Sequence, residues 1–205
     1  MKESSSHNRY RFTIWLGVLF ILTNTISRIV LTGMAIPKNS LSPTDLVYAF
    51  ASGFIYDLAT LSYVLIPIII WLTIVPLRWR KSRIWFSAGW VFSIITAFSL
   101  VFLAVSEWVF WGEFESRFNF IAVDYLVYTN EVIGNIRESY PLSTWLSLCA
   151  ITSIALTFGI NRLPVINKFG HIARRKMLLG IIVIQVLVNL GLSGQMKDVM
   201  ENRYA

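Results

Sequence analysis

Five apolar runs decide what this chain can fold into. They lie at about 12–36, 46–75, 84–110, 144–160 and 177–194, the fourth being the shortest. A helix needs roughly 20 apolar residues to cross about 30 Å of hydrocarbon. The chain is 56% hydrophobic and only 14% charged, where soluble domains carry about a quarter charged residues. In lipid, only helices or a closed barrel satisfy their own backbone. Runs of this length therefore predict an all-α, polytopic membrane protein with five transmembrane helices. The N-terminal run is longer than a signal-peptide core, and no small-residue cleavage site closes it, so it reads as the first span.

The charges orient these spans. Twelve of the 18 basic residues fall in the N-terminal tail, the loop after the second run and the loop after the fourth. Among them are Lys2, Arg78, Arg80, Lys81, Arg174 and Arg175. The positive-inside rule then puts the N-terminus in the cytoplasm and the C-terminus outside. The acidic residues agree, since Asp45, Glu113, Glu115, Asp124, Glu131, Glu138, Asp198 and Glu201 all fall on the outward side. Trp15, Trp71, Trp79 and Trp85 mark the inner interface, and Trp108, Trp111 and Trp145 the outer one. The net charge of +7 is thus accounted for by topology. Anionic lipid headgroups are a secondary partner, and nothing further points to nucleic acid.

The short outward turn before the second span holds Pro37, Pro43, Thr44 and Asp45, and Thr44 or Asp45 is expected to cap that helix. Pro67 is expected to kink it and Pro76 to close it. Cys149 is the single cysteine, so no intrachain disulfide staples the loops, and no Cys/His cluster suggests a metal. No phosphate loop, nucleophile elbow or zinc-protease motif occurs. No catalytic residue is expected in these 205 residues.

Polar groups within the spans need a reason, because a charge there costs about 2.5–3.5 kcal/mol on insertion scales. Arg28 lies about 10 Å and Asp57 about 16 Å below the outer helix ends, at 1.5 Å per residue, a gap that an arginine side chain can bridge. Two readings stand: a structural Arg28–Asp57 pair, or a lipid-headgroup site open to the outer leaflet, with Tyr56 on the Asp57 face and Glu107 at the mouth of span three. Glu107 also reads as an interface residue that snorkels. The stripe Cys149, Ser153, Thr157, Asn161 in span four and Gln185 with Asn189 in span five read as interhelical hydrogen-bonding faces.

The longest polar interruption, about 113–140, contains "RFNFIAVDYLVYTNEVIGNIRESYP". Its apolar residues recur at helical spacing, including Phe118, Ile121, Tyr125, Leu126, Val132, Ile133 and Ile136. Asp124, Glu131 and Glu138 lie seven apart on one polar stripe. An amphipathic interfacial helix is expected from Arg117 to Ser139, broken near Gly134, with its apolar face on the membrane.

This stretch, with "FWGEF" before it, "FLAVSEW" at the end of span three and "KDVMENRYA" at the C-terminus, resembles the bacterial lipoteichoic-acid-synthase-like family. Its members are sulfatase-fold phosphoglycerol or phosphoethanolamine transferases of the cell envelope. The resemblance covers the membrane half of such proteins. It implies a five-span domain over residues 1–196, and a connector starting at 197–205 that leads to an extracytoplasmic catalytic domain. It further implies a phospholipid donor such as phosphatidylglycerol, a glycan or lipid acceptor, and the bacterial cytoplasmic membrane. A divalent metal (Mn or Zn) is implied for the catalytic domain alone. Arg117, Asp124, Glu131 and Glu138 would then form a platform beneath that domain. Two other readings remain: a freestanding five-span scaffold or regulator, and a transporter component. A transporter would need a polar path across the whole bilayer, and Arg28 and Asp57 supply only its outer half.

Overall fold

A computed structural model describes residues 11–36, 42–75, 82–118 and 140–163, together with Gly134, Glu138, Lys176, Leu179, Gly180, Ile182, Val183, Gln185 and Val186. Four long helices carry the first four apolar runs: α1 (Arg11–Ala35), α2 (Pro43–Ile74), α3 (Arg83–Phe114) and α4 (Leu142–Asn161). All four are long and apolar enough to cross a membrane, and no strand occurs among the described residues. The fifth run lies mostly outside the described residues; Leu179, Gly180, Ile182, Val183, Gln185 and Val186 within it are helical.

The helix ends follow from local chemistry. Ser42, and not Thr44 or Asp45, caps α2. Its hydroxyl accepts from the Asp45 amide while the Asp45 carboxylate accepts from the Ser42 amide at 3.0 Å. This reciprocal pair fixes Pro43 at the first helical position, where a missing N–H costs nothing. The helix runs on through Pro67 and stops at Ile74, with Val75 extended, as the residue before Pro76 prefers. Ser82 caps α3 by accepting from the Ile84 amide at 3.2 Å. At its far end α3 continues four residues past Phe110, and Glu115 ends it in the left-handed conformation at φ 51°. Glu113 and Phe114 therefore belong to the span.

Successive helices alternate in direction. At one end, Arg11 Nη2 donates to the Asn161 carbonyl at 2.9 Å and joins the start of α1 to the end of α4. Close to it lies the apolar core: Trp15, Leu16 and Leu19 of α1, Ala97 of α3 and Ile160 of α4, with Phe12, Leu65 and Ile68 packed around them. α1 thus packs against α2, α3 and α4, and α3 also packs along α4.

The span-four stripe departs from expectation. Cys149, Ser153 and Thr157 are buried, but among the described residues the Ser153 and Thr157 hydroxyls donate within α4 and not to another helix. Thr157 donates to the Ser153 carbonyl and Asn161 Nδ2 to that of Thr157, each at 2.8 Å, and Ser153 donates likewise to Cys149. Ser153, Thr157 and Asn161 are each satisfied one turn back within their own helix, which leaves a small face suited to close packing. For the fifth apolar run the expectation fares differently: Ser62 of α2 donates to the helical Gln185 Oε1 at 2.6 Å, a bond between helices.

Candidate functional site

The end of the bundle away from Arg11 is polar. Two sequence neighbours on α1, Ser27 and Arg28, reach opposite flanks. Arg28 Nη2 donates to Asp57 Oδ2 on α2 at 2.6 Å, and the two side chains retain only 11% and 12% of their exposure. Gly53, one turn before Asp57, makes room for the guanidinium. A Cβ there would stand 2.5 Å from Arg28 Cζ, Nε and Nη2. The Phe50 ring lies with its centroid 5.8 Å from Arg28 Cζ, within cation–π range. Arg28 is thus held by a carboxylate, an aromatic face and a bare stretch of backbone.

Ser27 faces α3 instead. Its hydroxyl donates to Glu107 Oε2 at 3.0 Å and accepts from Trp108 Nε1 at 3.1 Å. The other carboxylate oxygen, Oε1, accepts from Arg117 Nε at 2.7 Å. Glu107 is 8% exposed, whereas the Arg117 side chain is 57% exposed. The buried carboxylate is therefore neutralised by a cation from outside the helix. Charge-assisted bonds to both oxygens are what a carboxylate in low dielectric requires.

Arg117 reaches Glu107 because the chain doubles back. After the left-handed Glu115, Phe118 lies 5.2 Å from the Phe110 ring, so Arg117 and Phe118 return along residues 107 and 110 of α3. Arg117 and Phe118 are consequently not helical, and the helix expected to begin at Arg117 does not begin there. The turn consumes these residues. Gly134, the expected break, and Glu138 are both helical, and Glu138 is exposed. Asp124 and Glu131 lie outside the described residues. On the near side of α4, Tyr140 Oη donates to Glu113 Oε1 at 2.8 Å. That hydrogen bond, with some desolvation and the negative charge of Glu113, raises the Tyr140 pKa above the ordinary tyrosine value.

Of the other candidates, Tyr56 is exposed on α2 and its carbonyl accepts from Thr60 Oγ1. Asn24, one turn below Arg28, donates to the Phe20 carbonyl in its own helix. Ser27 and Phe50 are the members of the cluster that the sequence did not signal, whereas Trp108 lies beside Glu107 at the outer interface as expected. The helical periodicity that puts Gly53 on the Asp57 face also reaches Phe50, and is the signal that could have found it. Among the described residues no group of three His, Cys, Asp or Glu side chains could hold a metal ion.

No protein-family model, curated protein or solved structure matches this chain. The cluster itself joins two cations and two carboxylates as two pairs, Arg28 of α1 with Asp57 of α2, and Glu107 of α3 with Arg117 of the turn that follows it.

Proposed function

We propose that this chain is the membrane half of a phospholipid headgroup transferase, supplying the anchor and lipid access while catalysis resides in an extracytoplasmic domain. The reading rests on the resemblance of the 113–140 stretch and on one observation, the half-exposed Arg117. Its Nε donates to Glu107 and the side chain is 57% exposed at the polar end of the bundle; on this reading its terminal nitrogens meet phospholipid headgroups. A guanidinium presents paired N–H groups that match a phosphodiester. On this reading the fifth apolar run is a fifth span. The N-terminus is cytoplasmic, the C-terminus faces outward, and the membrane is the bacterial cytoplasmic membrane. The later part of 113–140 forms an interfacial helix, whose Asp124, Glu131 and Glu138 stripe faces the catalytic domain. Transfer would be of phosphoglycerol or phosphoethanolamine, from a donor such as phosphatidylglycerol to a glycan or lipid. The divalent metal implied for this chemistry would belong to the catalytic domain, and no group of three His, Cys, Asp or Glu among the described residues could hold it.

A second reading, a scaffold or regulator without chemistry, is favoured by the mutual pairing of all four charges. Retained lipid separates the two. The chain is reconstituted in nanodiscs of equal parts phosphatidylglycerol and phosphatidylcholine, released into mild detergent and weighed by native mass spectrometry. The transferase reading expects selective retention of phosphatidylglycerol and its loss in Arg117→Gln. Equal retention of both lipids would support the scaffold.

A further inference from the structure

Arg117 and Tyr140 stand at the two ends of the connection between α3 and α4, and both return to the same helix. Arg117 bonds Glu107 and Tyr140 bonds Glu113. These two carboxylates are six residues apart on the last turns of α3, which places them about 9 Å apart along the axis and about 120° apart around it. The approaches differ in kind. Arg117 comes back down from the left-handed turn at Glu115, accompanied by Phe118 on Phe110, to a buried acceptor. Tyr140 meets an exposed acceptor near the helix end.

We infer that the end of α3 is a two-point tether, Glu107 holding the start of the connection through Arg117 and Glu113 holding its end through Tyr140. The physical reason for the first point is strong. Without Arg117, Glu107 keeps, among the described residues, the Ser27 hydroxyl as its side-chain partner, and a buried carboxylate so stripped is costly. The chain must therefore stay folded back for the span to remain satisfied. The second point involves no buried charge and is the weaker. The connection is thus fixed firmly at Arg117 and released more readily at Tyr140.

The test uses the full chain in nanodiscs with nitroxide labels at Ser116→Cys or Glu138→Cys; the native Cys149 is buried and is left in place. Label mobility and collision with an aqueous nickel chelate are read by electron paramagnetic resonance. Arg117→Gln should raise both severalfold at 116 and leave 138 near its starting values. Tyr140→Phe should do the reverse, with the smaller effect. Glu107→Gln should reproduce Arg117→Gln; should it fail to fold, Arg117→Gln carries the test, because that side chain is half exposed. A label at 116 that stays immobile and shielded in Arg117→Gln, or one at 138 indifferent to Tyr140→Phe, would overturn the tether. The result is independent of lipid retention, so failure here leaves the transferase reading to its own experiment.

Discussion

Arg28 of α1 and Asp57 of α2 meet at 2.6 Å inside a bundle whose surrounding residues are apolar. Neither charge is tolerable there alone. Breaking a buried pair by removing one partner typically costs about 3–5 kcal/mol, whereas replacing both with apolar groups is often neutral. Arg28→Leu and Asp57→Leu should each lower the thermal stability of the detergent-purified protein markedly. The double variant should recover most of the loss. Losses that simply add would show that the two residues are not coupled.

Gly53 provides an independent probe of the same contact. A methyl group there would stand 2.5 Å from three atoms of the Arg28 guanidinium, too close for the arginine to stay where it is. Overpacking of this kind costs about 1–3 kcal/mol. Gly53→Ala should destabilise the wild-type protein by about that amount and have little effect in the Arg28→Leu, Asp57→Leu background, where the guanidinium is gone. Thermal unfolding of the four combinations measures this. An equal cost in both backgrounds would assign the glycine to helix packing alone.

Tyr140 makes a pH prediction whose sign follows from its bond. The protonated phenol donates to Glu113, so its pKa is raised. The bond's contribution to stability is complete below the ordinary tyrosine value of about 10 and is lost as pH climbs through the raised value. A difference titration of wild type against Tyr140→Phe, followed by phenolate absorbance, should show one tyrosine ionising above that ordinary value. Mobility at a label on Glu138 should rise over the same alkaline window. A tyrosine titrating at or below its ordinary value would contradict the bond.

Much of this architecture was legible because lipid restricts the options. Runs 12–36, 46–75, 84–110 and 144–160 became helices whose ends shift by at most four residues, since in hydrocarbon an apolar run of that length must be helical. Arg28 and Asp57 could be paired from depth alone. The outer end of α3 is not legible in the sequence, because Gly112, Glu113 and Glu115 resemble the start of a loop. The helix nevertheless continues to Phe114, and its stop is a left-handed glutamate with no marker in composition. That turn in turn hid the partner of Glu107, because Arg117 reaches it only by folding back. The α2 cap was misassigned although Ser42 and Asp45 have capping-box spacing, Thr44 being the nearer candidate. The span-four hydroxyls were legible as a buried face, but not as one that satisfies itself.

On the proposed topology, the polar end of the bundle, with Arg28, Asp57, Glu107 and Arg117, faces outward. Single cysteines at Lys38, Lys81, Ser143 and Arg175 are treated with an impermeant thiol reagent in intact spheroplasts and, separately, after permeabilisation. Labelling in intact spheroplasts at Lys38 and Ser143, with Lys81 and Arg175 reacting only after permeabilisation, is the predicted result. Labelling of Lys81 with protection of Ser143 would turn the bundle over and place the charged cluster on the cytoplasmic side, contradicting the account.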